Sequence, residues 1–162
     1  MAKETKTEAL TAEEAAKQYT NSLVEKALKA EKVYATYTQE QVDKIVAAMA
    51  LAGSEASLQL AKEAHEETGR GVVEDKDTKN HFATEYVYER IKNEKTVGII
   101  GEDKVAGSIE IAAPLGVLAG IVPTTNPTST TMFKILVALK TRNAIVFAFH
   151  PAAQKCSAHA AQ

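Results

Sequence analysis

Over roughly the first 95 residues, apolar positions recur every three or four residues. Beyond them they gather into short runs. In "TAEEAAKQYTNSLVEKALKAEKVYATY", Ala16, Tyr19, Leu23, Ala27 and Ala30 form one stripe on a charged rod, the spacing of a helix face. "TQEQVDKIVAAMALA" sets Thr38 three residues before Gln41, so hydroxyl and amide can satisfy each other's free backbone N–H groups at a helix start. Val42, Ile45, Val46 and Met49 then mark its buried face. "SEASLQLAKEAHEETG" predicts a third helix from Ser54 to Gly69, a residue suited to the left-handed turn that ends helices. "EDKDTKNHFATEYVYERIK" predicts a fourth, with Phe82, Tyr86 and Val87 on one side. Residues 1–10 are expected to fray, leaving 11–95 helical.

After residue 95 the period shortens. "TVGII" and "GSIEIAA" flank the turn-like "GEDKVAG" and predict an antiparallel pair. Val117–Val122 is too short an apolar run for a helix and suits a strand buried on both faces. Asn126 before Pro127 predicts a helix start with Asn as N-cap, continued by Phe133, Leu136, Val137 and Lys140. "NAIVFAF" reads as the next buried strand, and "PAAQKCSAHAAQ" opens another helix. Strand, helix and strand of these lengths predict a parallel, right-handed crossover. The expected fold is α/β: N-terminal helices plus the first part of a Rossmann-like parallel sheet. Ligands of such sheets bind beyond the carboxyl ends of the strands, where "PTTNP" and "HP" fall.

Composition narrows the partners. The chain has 162 residues, 45% hydrophobic and 25% charged, as in a globular protein of one domain or part of one. A net charge of −2 argues for neither nucleic acid nor an acidic membrane surface. No apolar run approaches a bilayer span, and the N-terminus is too polar and acidic for a signal peptide. One cysteine, Cys156, excludes an internal disulfide and fits a reducing cytoplasm. All 21 carboxylates precede residue 111, whereas the remainder carries only Lys134, Lys140, Arg142 and Lys155. That asymmetry fits burial of the second region and equally fits steering of an anion. "KTRN" supplies bases for a helix C-terminus, while Glu13–Glu14 and Glu66–Glu67 read as solvated faces. No G-x-G-x-x-G fingerprint, P-loop, zinc spacing or internal repeat occurs.

"GIVPTTNPTST", "FKILVALKTRNAIVF" and "HP", with "YTQEQVDKI" and "GVVEDKDTKNHF" upstream, resemble the aldehyde dehydrogenase domain of bifunctional aldehyde–alcohol dehydrogenases. The resemblance covers residues 20–162 and implies an incomplete aldehyde dehydrogenase fold, the N-terminal portion of that domain. It implies an acylating enzyme interconverting acetaldehyde and acetyl-CoA with NAD, coenzyme A being the co-substrate. Iron belongs only to the alcohol dehydrogenase domain that follows in full-length relatives. Those relatives imply a homo-oligomer or filament, a small aldehyde as substrate, and neither nucleic acid nor membrane as partner. Residue by residue, Ile121, Val122, Pro123, Thr124, Thr125 and Asn126 match the family's nucleotide-binding segment.

Asn126 also matches the family asparagine that supports the oxyanion, so helix capping and oxyanion support both stand. His150 lies where many relatives place a lysine near the adenosine ribose; a structural hydrogen bond at the strand end is the other reading. This chain has "AFHP" where the family usually reads "SPHP", which alters the loop beside the cofactor. The family's nucleophilic cysteine, later glycine-rich turn and glutamate fall beyond residue 162, and Cys156 is not the counterpart of that nucleophile. The chain therefore reads as an N-terminal piece, inactive alone. Three functions remain: part of an acylating aldehyde dehydrogenase, a partial nucleotide-binding module, or a subunit-interaction piece.

Overall fold

A computed structural model describes residues 11–162; the fraying expected of 1–10 lies outside the described residues. Helix α1 (Ala12–Tyr34) starts at a Thr11/Glu14 capping box, and α2 (Gln39–Glu55) starts at the Thr38/Gln41 box that the sequence predicts. The third helix does not begin at Ser54. Helix α2 runs through that residue, and α3 (Ser57–Thr68) follows after Ala56, which stays in right-handed helical geometry. Ser54 donates its hydroxyl to Glu85 at 2.5 Å instead of capping a helix. Helix α3 ends at Gly69, left-handed at φ 63°, as expected.

The fourth helical segment is continuous but not uniform. Helix α4 (Val73–His81) passes through a π turn at Phe82–Tyr86 into α5 (Val87–Ile91). The turn sits where Thr84 presses on α2: a Cβ at Gly53 would lie 2.7 Å from the Thr84 methyl. Phe82 and Tyr86 stack on each other, rings 5.7 Å apart, and remain exposed. Val87 packs instead against the main core, where Val42, Val46 and Ala50 of α2 meet Leu136.

Strands β1 (Gly98–Asp103) and β2 (Ser108–Ala112) form the expected antiparallel pair, with a bulge between Ile99 and Gly101 and a turn shorter than the sequence suggests. Strands β3 (Val117–Val122) and β4 (Ala144–Phe149) pair in parallel, Val117 against Ala144 through Val122 against Phe149. They are joined through α6 (Pro127–Lys140). The fold is therefore mixed α/β with a parallel sheet, forming part of a larger domain architecture. Strand β3 is not buried on both faces. Gly120 and Val122 are buried, whereas Ala119 and Ile121 alternate to the open side, Ile121 being 71% exposed. Strand β4 is likewise only half-buried, and a groove runs between it and the Tyr19–Leu23–Ala27 stripe of α1. A short 3-10 helix (Pro151–Ala153) leads into α7 (Gln154–His159).

The basic residues at the end of α6 do more than complement its dipole. Lys140 is buried and donates to Asp43 at 2.6 Å and to the Lys92 carbonyl at 3.0 Å. Arg142, with positive φ, donates to the carbonyls of Ala35 at 2.6 Å and Ala112 at 3.1 Å. Asn143 Oδ1 accepts the N–H groups of Leu115 and Gly116 at 2.6 and 2.9 Å. One four-residue stretch thus ties α1, α2 and the antiparallel pair to the start of β3. Among the described residues no helix is long and apolar enough to cross a membrane, and no cluster suits a metal ion.

Candidate functional site

The parallel pairing brings the two strand ends side by side. His150 N–H donates to the Val122 carbonyl at 3.1 Å, continuing the ladder one step beyond β4. Ile121, Val122, Pro123, Thr124, Thr125, Asn126 and His150 therefore share one end of the sheet. They do not all face it alike. Val122 is buried and offers only backbone, and the Ile121 carbonyl accepts from Lys134 Nζ at 2.6 Å. Pro123, Thr125 and His150 are exposed. Thr124 Oγ1 is buried without a partner, an orphaned group at the end of β3.

His150 has a structural task. Its Nδ1 accepts the Ala152 N–H at 3.1 Å and so caps the 3-10 helix. An accepting Nδ1 puts the proton of the neutral ring on Nε2, which stays available as a donor. One nitrogen serves the fold and the other faces outward.

Asn126 occupies the N-cap position, with Pro127 following, but its side chain does not cap α6. At φ −136° and ψ 60° the backbone turns the amide away from the helix N–H groups. Oδ1 accepts instead from Lys79 Nζ at 3.2 Å, and Nδ2 reaches only Thr125 Oγ1 at 3.4 Å, a long contact. The expected capping bond is absent because α4 takes its acceptor.

Helix α4 is expected from the sequence, but its part in this site is not. Lys76 donates to the Thr125 carbonyl at 3.2 Å, Lys79 to Asn126, and Asn80 Oδ1 accepts the Thr128 hydroxyl at 2.9 Å. Asn80 is fully buried and also donates to the Ser57 carbonyl at 2.9 Å. Positions 76, 79 and 80 are one helix face by their spacing, the only sequence signal they carry. Lys76 is 5% exposed, and burial, then neighbouring Lys79, push its ammonium below the ordinary lysine value.

Beside Asn126 lies an open recess of about 300 Å³ between α4 and α6, walled by Phe82, Ala83, Val87 and Phe133. Its walls are largely apolar, Ser129 and Thr130 of α6 also lining it, and its polar end is formed by Asn126 and Lys79. His150 Nε2 and the first N–H groups of α6 are donors at this end of the sheet of a kind suited to ribose and phosphate oxygens, whereas the orphaned Thr124 hydroxyl is shielded from solvent. Donors of this kind are chemically compatible with the oxygens of a nicotinamide nucleotide.

Cys156 lies elsewhere, 1% exposed in a small cluster with Ala64 and Ala153. Burial, then the Glu67 carboxylate, push its thiol up to about 12. The thiol does sit in the first turn of α7, a place that would favour a thiolate. Glu67, which the sequence presents as a solvated residue, occupies that helix end and reverses the effect.

The sequence profile described as "Aldehyde dehydrogenase family" matches residues 2–162. The chain belongs to the aldehyde dehydrogenase family. The bifunctional aldehyde-alcohol dehydrogenase AdhE of Escherichia coli (strain K12) is 57% identical over 141 residues, covering 87% of this chain and 16% of the relative. The acetylating aldehyde dehydrogenase from Geobacillus thermoglucosidasius is 52% identical with a TM-score of 0.87, over 88% of this chain and 32% of that one. An engineered glycolyl-CoA reductase with bound NADP+ is 28% identical with a TM-score of 0.70, over 87% and 32%. The similarity is to the N-terminal acylating aldehyde dehydrogenase domain of the bifunctional enzymes. The chain spans about a sixth of the length of that E. coli relative. The family is one of oxidoreductases acting on aldehydes.

Proposed function

We propose that this chain supplies the first half of the nucleotide site and the oxyanion-supporting amide of an NAD-dependent, CoA-acylating acetaldehyde dehydrogenase. The observation that carries this is the Asn126 amide, its oxygen held by Lys79 and its nitrogen left without a short partner, at the polar end of an apolar recess. Bound nicotinamide supplies the hydride acceptor for oxidation of the aldehyde carbon. Thr125 and His150 Nε2 would hold oxygens of the nucleotide, with Ile121, Val122, Pro123 and Thr124 shaping the turn beneath it. Asn126 Nδ2 donates to the aldehyde oxygen as negative charge develops there. Phe82, Val87 and Phe133 give the open recess an apolar wall that suits a small aldehyde. Coenzyme A takes the acyl group, and the attacking thiolate comes from outside these 162 residues, because buried Cys156 does not ionise readily. No step here uses iron.

A second reading, self-association of the full-length protein, is favoured by the antiparallel pair. Ile99, Ile100, Ile109 and Ile111 all stand exposed on β1 and β2. A size-exclusion profile independent of Ile109→Lys and Ile111→Lys substitutions would remove it.

The nucleotide reading is tested by titrating 15N-labelled chain with NAD. Weak binding with amide shifts confined to 121–126 and 150 supports it, and shifts elsewhere overturn it. The catalytic reading is tested by grafting residues 1–162 onto the remainder of the Geobacillus enzyme, 52% identical over the aligned part, and assaying acetaldehyde oxidation.

A further inference from the structure

Three consecutive anchors join α4 to the loop before α6: Lys76 to Thr125, Lys79 to Asn126 and Asn80 to Thr128. The outer two fix backbone and the first helical turn. The middle one acts on the amide alone. We infer that Lys79 is a positioning residue, which holds the Asn126 side chain as a hydrogen-bond donor toward the recess between α4 and α6.

An asparagine amide has an acceptor end and a donor end of nearly the same shape, so either could face a ligand. An ammonium has donors only and therefore selects Oδ1. With Oδ1 bound to Lys79 Nζ at 3.2 Å, the group left to face the recess is Nδ2. No carboxylate occurs anywhere from residue 111 onward, so nothing in the Asn126 segment competes for the ammonium. The nearby Lys76 ammonium is committed to the Thr125 carbonyl. The positive charge also polarises the amide and strengthens its N–H groups as donors. A freely rotating amide would present its oxygen part of the time, and two negative ends repel. Lys79 removes that option before any substrate arrives.

Lys79 is exposed, so its bond adds little to stability, and its loss should be felt at the amide rather than in the fold. The inference rests on the oxyanion reading of Asn126, and the two are separable. In 15N spectra of the 162-residue chain, the Asn126 side-chain pair is identified by its disappearance in Asn126→Ala. In Lys79→Met that pair should shift and broaden while backbone signals of α6 stay in place, and Lys79→Arg should restore it. An Asn126 pair unchanged in Lys79→Met overturns the inference. In the grafted enzyme, Lys79→Met should lower kcat about tenfold with KM for acetaldehyde unchanged, and Lys79→Arg should recover part of the loss. A normal kcat in Lys79→Met overturns the catalytic part. If Asn126→Ala itself leaves kcat normal, the oxyanion reading fails, while the amide spectra still decide whether Lys79 orients the side chain.

Discussion

The carboxylate of Glu67 accepts the backbone N–H of Cys156 at 2.7 Å, joining α3 to α7 across 89 positions of sequence. Its second oxygen accepts the N–H of Lys155 at 2.9 Å, so one side chain closes the N-terminus of a short helix. The same contact sets the character of the only thiol, because a carboxylate stands where a thiolate would need a donor.

Glu67→Gln should destabilise the chain by about 1 kcal/mol at neutral pH, the loss expected for a charged helix cap. Burial raises the Glu67 pKa, but the Cys156 and Lys155 N–H groups outweigh it and hold the carboxyl below its ordinary value. A carboxyl depressed in the folded state contributes fully above its ordinary pKa and loses that contribution as pH falls through the folded value. The difference in denaturation midpoint between wild type and Glu67→Gln should therefore shrink in acid, below the ordinary carboxylate range. A difference that is constant from pH 7 to pH 3 would be incompatible with this role.

Cys156 should be inert, and the 162-residue chain should not oxidise aldehyde. With a pKa of about 12, only about one thiol in ten thousand ionises at pH 8. A thiol-reactive dye should label folded protein slowly and unfolded protein at once. Acetaldehyde, coenzyme A and NAD should give no NADH above the blank, with Cys156→Ser indistinguishable. Cys156-dependent NADH would mean that the nucleophile has been misplaced.

The Lys140–Asp43 pair is asymmetric: the lysine side chain is 3% exposed and the aspartate 40%. Asp43→Asn leaves a buried cation with one carbonyl as its main partner and should cost about 3 kcal/mol. Replacing the cation itself, in Lys140→Met, should cost less, since methionine packs in the space without needing a counter-charge. Urea midpoints of the two variants in the opposite order would show that the ion pair is not what holds α2 to α6.

Asn126→Ala in the grafted enzyme should lower kcat by roughly a hundredfold to a thousandfold, corresponding to about 2.7–4 kcal/mol of transition-state stabilisation. Because its side chain makes no capping bond to α6, thermal stability should fall by less than the usual ~1 kcal/mol for a lost N-cap. Loss of stability with normal turnover would leave Asn126 only a structural part.

The sequence by itself determined the elements and their order. Periodic apolar positions, the Thr38–Gln41 pair, Gly69 and the Asn126–Pro127 start are local signals, read within one turn of chain. The short apolar run at Val117–Val122 and the one after Asn143 sufficed to place two strands, and their helical connection made them parallel. Tertiary structure decided what each polar side chain does. Ser54 reads as a helix start until Glu85 claims its hydroxyl, and Glu67 reads as a surface residue until the far end of the chain docks on it. Asn126 gives its oxygen to Lys79, 47 positions away, rather than to the helix it precedes. Local propensity fixes backbone conformation because its causes are steric and near in sequence. A hydrogen-bonding partner is chosen by distance in space, and that distance exists only once α4, α6 and α7 have packed.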